Sequence, residues 1–202
     1  MIVFKGFHKG MVCTMGRGKF KYKLGKKAYA DAAKTANTGL HSTREPFGIL
    51  SYYSNHGTDV YCICEAAGDI NEDSQGRVAS TELTPLKKLT PQELAIYEGI
   101  FVQKHPELSD THFNEHAEDN GYYAVARGKN PTARGKKGTV IVLLQEYARS
   151  HKIKKLEIFE IDGRTNKAGL YGIGGRINAK GDAAKPANLK SHSGNSKQGA
   201  ER

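Results

Sequence analysis

Asp59-Val60-Tyr61-Cys62-Ile63-Cys64-Glu65-Ala66 is the stretch on which the fold turns. It is rich in β-branched, aromatic and cysteine side chains, which suit a pleated, half-buried surface. It predicts a central strand closed by Gly68-Asp69. Upstream, Ile2 to Phe7 predicts a first strand and Met11 to Met15 a short second one. Lys19-Phe20-Lys21-Tyr22-Lys23-Leu24 alternates with period two between Gly18 and Gly25, as a strand with one wet face does. Leu40 to Thr43 reads as extended. A short helix is then expected from Pro46 to Tyr53, capped by Ser42 or Thr43, with Phe47, Ile49, Leu50 and Tyr53 turned inward.

Downstream, Thr90-Pro91-Gln92-Glu93 has the form of a capping box with proline in the first turn, and the helix it starts should end near Lys104, before His105-Pro106. These elements make an expected core domain over 1–106, followed by an acidic connector over 107–120. From Gly121 small residues recur with glycine at short spacing, which predicts one or two rungs of a β-coil running into a buried strand at Thr139 to Leu144. Leu156 to Ile161 and Leu170 to Ile173, with an Asp162-Gly163 turn between them, complete a small Gly/Ala-rich β module over 121–177. Residues 178–202 lack large apolar side chains and read as a disordered basic tail. The fold class expected is α+β: a curved, mostly antiparallel sheet with two short helices, a small C-terminal β module and the tail.

A chain of 202 residues supports one ordinary core, or one core and a small appended module. No run approaches the roughly 18 apolar residues of a membrane span, and MIVFKGFHKG lacks a secretory block, so a cytoplasmic protein is expected. Cys13, Cys62 and Cys64 then read as reduced, packed thiols and not as a metal site, for which one Cys-x-Cys is half a ligand set. The net charge is +10, and it is segregated: eight Lys and Arg residues and no acid lie between Met1 and Ala30, while Asp59 to Asp119 is acidic. Basic residues return in Arg127-Gly128-Lys129 and Arg134-Gly135-Lys136-Lys137. Such asymmetry favours a polyanionic partner, because counterion release grows with the number of cations presented.

Signals for chemistry are sparse. His112 and His116 stand four apart, but no third metal ligand accompanies them, and no metal site is expected. Gly172-Ile173-Gly174-Gly175 resembles part of a phosphate loop, yet no helix follows to supply the positive end. No nucleophile elbow is present.

Two resemblances bear on function. Lys5-Gly6-Phe7, Gly39-Leu40-His41, Tyr52-Tyr53 and the run from Gly121 to Lys129 resemble, over roughly Ile2 to Ile173, an uncharacterised family of phage and prophage proteins. That resemblance implies a bacterial host cell as the setting and no assigned activity. The order of elements over about residues 2 to 75 is similar to small ADP-ribosyltransferases of the rifampin-modifying type. It is carried by Phe4-Lys5-Gly6, Leu24-Gly25, Leu40-His41-Ser42, the helix ending in Tyr53, and the strand from Val60 followed by Gly68 to Asp73. The resemblance implies NAD as cofactor, with Lys5, Gly6 and Tyr53 holding it and His41, Glu72 and Asp73 in catalytic positions, acting on a host target. Lys5 stands where that family has His, and His41 where it has a stacking Tyr, so its dinucleotide grip is altered. The competing expectation is a noncatalytic basic module that binds nucleic acid or a host protein through Lys19, Lys21, Lys23, Lys26, Lys27, Arg134, Lys136 and Lys137. The sequence leaves the oligomeric state open.

Overall fold

The computed structural model describes residues 1–14, 18–107 and 113–178. In chain order its strands are β1 (Ile2–Phe7), β2 (Val12–Cys13), β3 (Phe20–Lys21), β4 (Ala28–Tyr29), β5 (Leu40–Thr43), β6 (Val60–Glu72) and β7 (Arg77–Leu89), then β8 (His116–Glu118), β9 (Tyr123–Gly128), β10 (Thr132–Gly135), β11 (Val140–Glu146), β12 (Ile153–Glu160), β13 (Gly169–Gly172) and β14 (Gly175–Arg176). A 3-10 turn spans Phe47–Ser51, and helix α1 spans Pro91–Lys104.

This corrects the expected fold class. The described residues are mostly β, in several sheets with a single α-helix, and not an α+β core with two short helices of ADP-ribosyltransferase type. The expected helix at Pro46 to Tyr53 is only a 3-10 turn over Phe47–Ser51 with no side-chain cap; neither Ser42 nor Thr43 caps it, and the Thr43 hydroxyl donates to the Glu45 carbonyl at 2.8 Å. The strand expected to stop at Gly68 runs on to Glu72. Gly68 takes a positive φ of 69° within a register shift, and the Asp69 N–H donates to Thr81 Oγ1 at 2.8 Å, so the glycine bends the strand without ending it. The tail expected over 178–202 lies outside the described residues apart from Asn178.

β6 and β7 form a long antiparallel hairpin that organises the first half. β1 pairs along the free edge of β6, β5 pairs with β7, and β1 meets β5, so the sheet closes upon itself in the order β1, β5, β7, β6. Val3, Phe7, Leu40, Cys62, Cys64, Val78 and Leu83 pack together on one face of these strands. Phe4, Tyr61 and Leu89 face the other way, against Ile49, Tyr53 and Leu94. All three cysteines are free thiols, and Cys62 and Cys64 are buried. Burial pushes the Cys62 thiol up to about 11.

The second half alternates between two sheets. β8 pairs in parallel with β10, and β9 in parallel with β11, as successive turns of a coil do; β12 and β13 then add antiparallel partners. Arg127, part of a basic run in the sequence, is buried, and its Nε–H donates to Glu146 at 2.8 Å.

Helix α1 ties the halves together. Thr90 and Glu93 complete the capping box at its start. Its Ala95 and Val102 pack with Val125, Val140, Val142 and Leu144, while Leu94 joins the cluster around Tyr53 and Tyr61. A Cβ on Gly99 would come within 2.5 Å of Val142 Cγ1, so glycine sets how closely the helix approaches β11. His56 bridges the halves with Nδ1 at 2.8 Å from the Tyr61 hydroxyl and Nε2 at 3.2 Å from that of Tyr123. Glu98 is fully buried in this joint and accepts from the Phe47 N–H at 2.9 Å. Burial, reinforced by Glu45, holds its carboxyl well above the usual carboxylate range. A raised native pKa means stability that is complete below the unfolded value and is lost as pH rises through the native one. Wild type should therefore lose stability relative to Glu98→Gln as pH is raised above 4.5, measured by denaturant titration across pH. Parallel pH profiles for the two proteins would contradict a protonated Glu98.

Candidate functional site

β1 and β5 share a single register pair, Phe4 with Thr43. Beside it the ladder opens, and a cavity of about 530 Å3 lies along the gap. Lys5, Gly6 and Cys13 form one wall, Gly39 to Thr43 the other, and Phe20, Tyr22, Tyr29, Ile49, Tyr52, Tyr53 and Arg77 complete the lining. The open seam exists because β5 is only four residues long and Gly39, at φ 109°, turns the chain away just before it.

Lys5 projects across this gap. Its ammonium donates to the main-chain carbonyl of His41 and lies 5.2 Å from the Tyr22 ring centroid and 5.6 Å from that of Phe7. The residue is 6% exposed and forms no salt bridge with any described residue. Burial draws its pKa below the ordinary lysine value, although Cys13 and Cys64 act in the opposite sense. Burial also raises the Cys64 thiol strongly, so at neutral pH that neighbour stays uncharged. A buried cation beside two rings and a carbonyl lacks the anion that would offset its desolvation.

His41 is pulled down by burial, and the charges of Lys5 and Arg77 add to this, so its imidazole is neutral at pH 7. Its Nε2 is buried without a hydrogen-bond partner, and so is the hydroxyl of Ser42. Gly6 lies directly beneath Tyr53: an added Cβ would stand 2.5 Å from Tyr53 Cδ2. The ring and the strand meet so closely that only glycine fits.

The site residues expected from the sequence divide between two cavities. Lys5, Gly6, His41 and Tyr53 come together in the first. Glu72 and Asp73 line a second, of about 1050 Å3, which shares Thr43, Tyr52 and Arg77 with the first as a common wall. Asp73 accepts from Arg77 Nε–H at 2.6 Å, and Glu72 pairs with Arg44 at 3.3 Å. Desolvation works against Asp73, yet hydrogen bonds from Arg77 and Gln75 hold its carboxyl below the usual range. Both expected acids are thus bound to arginines and lie across the wall from Lys5 and His41.

The expected cationic surface also divides. Lys19, Lys21, Lys23 and Lys26 are exposed, while Lys27 pairs with Glu82 at 2.5 Å. Arg134 belongs to β10 in the other half and pairs with Glu118, and Lys136 and Lys137 follow in the turn to β11. His116 Nδ1 lies 2.8 Å from Thr132 Oγ1, and His112 lies outside the described residues.

Tyr22, Tyr29, Tyr52 and Arg77 were not singled out from the sequence as site residues. The alternation of residues 19–24 carried the signal for Tyr22 and Phe20, which both line the cavity. Nothing local marks Arg77.

Residues 1–97 match a family described as a domain of unknown function, DUF7666. The match accords with an uncharacterised family over the first half, and it ends inside α1. No curated protein and no solved structure matches the chain. Among the described residues, no helix is long and apolar enough to cross a membrane.

Gly6→Ala should displace Tyr53 from the cavity wall and cost about 1–3 kcal/mol by overpacking. Thermal unfolding checks the loss, and an unchanged melting temperature would mean that the ring and strand are not in the contact described.

Proposed function

We propose that the first cavity binds a small molecule made of a planar ring and an anionic group, the class to which nucleotides and NAD belong. The observation that carries this reading is the unneutralised ammonium of Lys5 inside an aromatic enclosure. A ligand phosphate or carboxylate supplies the missing counterion, and Tyr22, Tyr53 and Tyr29 offer faces and edges to the ring. The size suits one nucleotide, since ligand cavities run from about 300 to 1,000 Å3. Group transfer is not part of this reading, because Glu72 and Asp73 are paired to arginines beyond the shared wall.

Binding an anion requires Lys5 to carry its proton, and its pKa is lowered in the free protein. The bound anion raises that pKa again, so binding takes up protons and affinity falls as pH rises through the free-state value. Calorimetric titration with adenosine monophosphate, nicotinamide mononucleotide, NAD and plain adenosine tests this. The phosphorylated ligands should bind at least about tenfold more tightly than adenosine, a difference of about 1.4 kcal/mol, and Lys5→Met should abolish that preference. Equal binding of adenosine and its phosphate, or a preference that survives Lys5→Met, would refute the role given to Lys5.

A further inference from the structure

The mouth of the cavity is unusual for a surface. Phe20 is 45% exposed, Tyr29 67% and Tyr52 42%, all three at the rim. Single exposed apolar residues are ordinary, but three aromatic side chains around one opening are not scattered. Phe20 stacks edge-on against Tyr22 at 4.7 Å, so a bare outer ring continues inward into a buried one.

The ribbon that carries these rings is cationic. Lys19, Lys21, Lys23 and Lys26 are exposed, and none forms a salt bridge with any described residue. Phe20 and Tyr22 line the cavity, and Lys19, Lys21, Lys23 and Lys26 lie exposed along the same segment of chain. A strand of nucleic acid likewise presents bases and phosphates side by side along its length. Single strands are held by aromatic platforms for the bases combined with cations that follow the backbone. A duplex keeps its bases stacked and offers no free ring.

We propose that the cavity takes one base of a single-stranded nucleic acid, with Phe20 and Tyr29 stacking its neighbours and Lys19, Lys21, Lys23 and Lys26 following the phosphates. This rests on the cavity being a nucleotide site and names the polymer to which the nucleotide belongs. Arg134, Lys136 and Lys137, on the other half, take no part.

Fluorescence anisotropy of the full chain with a labelled decathymidylate, a hairpin duplex and anionic phosphatidylserine vesicles tests the proposal. The single strand should bind at least about tenfold more tightly than the duplex. Its log affinity should fall linearly with log salt, and replacing all four lysines with serine should reduce that slope by about 2 to 3, at roughly 0.7 per phosphate contact. Phe20→Ala and Tyr29→Ala should each weaken binding by about fivefold or more, with the salt slope retained. Saturating thymidine monophosphate should compete with the strand. Equal retention on duplex and vesicles would overturn the proposal in favour of plain charge attraction. So would strand binding that the mononucleotide leaves untouched. If the mononucleotide binds and the strand gains nothing over it, the polymer assignment fails while the cavity reading stands; if neither binds, both fail.

Discussion

Everything distinctive about the first half follows from a sheet that closes on itself and cannot finish the closure. β6 and β7 are long enough to satisfy each other along their length, but β5 offers four residues and meets β1 at one register pair. Strand edges left open inside a protein expose carbonyls and N–H groups that must find partners. At this seam the partner for the His41 carbonyl is a side chain, Lys5, which brings a charge into the sheet's interior. The structural repair and the candidate site are therefore one event: the amine that mends the gap is also the group that wants an anion.

The sequence is informative about this half where pattern and burial agree. Ile2–Phe7 and Leu40–Thr43 are strands at the limits their residues suggest, and the Thr90 capping box starts α1 as its chemistry requires. β7 escaped notice because Thr84-Pro85-Leu86-Lys87-Lys88 contains a proline and shows no alternation, both marks of a non-strand. A register shift between Ile63 and Cys64 accommodates the proline, and its carbonyl accepts from the Gly25 N–H at 2.7 Å. That compensation comes from sixty residues away in the chain and leaves no local trace. Gly68 failed as a stop signal for a related reason, since a bulge and a strand end make the same demand on a single residue.

Of the candidate site, the residues carried by resemblance to another family fell into two cavities. Lys5, Gly6, His41 and Tyr53 share one because β1, β5 and the 3-10 turn all border the seam. Glu72 and Asp73 sit at the far end of the β6–β7 hairpin, and the extension of β6 beyond Gly68 carried them away. Arg77 shows the limit of linear reading most plainly: it becomes a wall residue only because the hairpin folds back and Asp73 fixes its guanidinium. The corrected fold, mostly β with one α-helix, removes the fold-level support for NAD-dependent transfer, and the reading of the cavity stands on its own groups.

Helix α1 has a bearing on how this protein divides. The matched region stops at residue 97, one position short of Glu98, whose carboxyl receives the Phe47 amide, and two short of the glycine seated against Val142. A fragment cut at that boundary would end midway along a helix, leave the turn under Tyr53 without its acceptor, and bare Ala95, whose partners Val125, Val140, Val142 and Leu144 would be gone. The family limit is thus a limit of shared sequence and not a seam along which the molecule comes apart, so the shorter piece would inherit the cavity's walls without the buttress behind them.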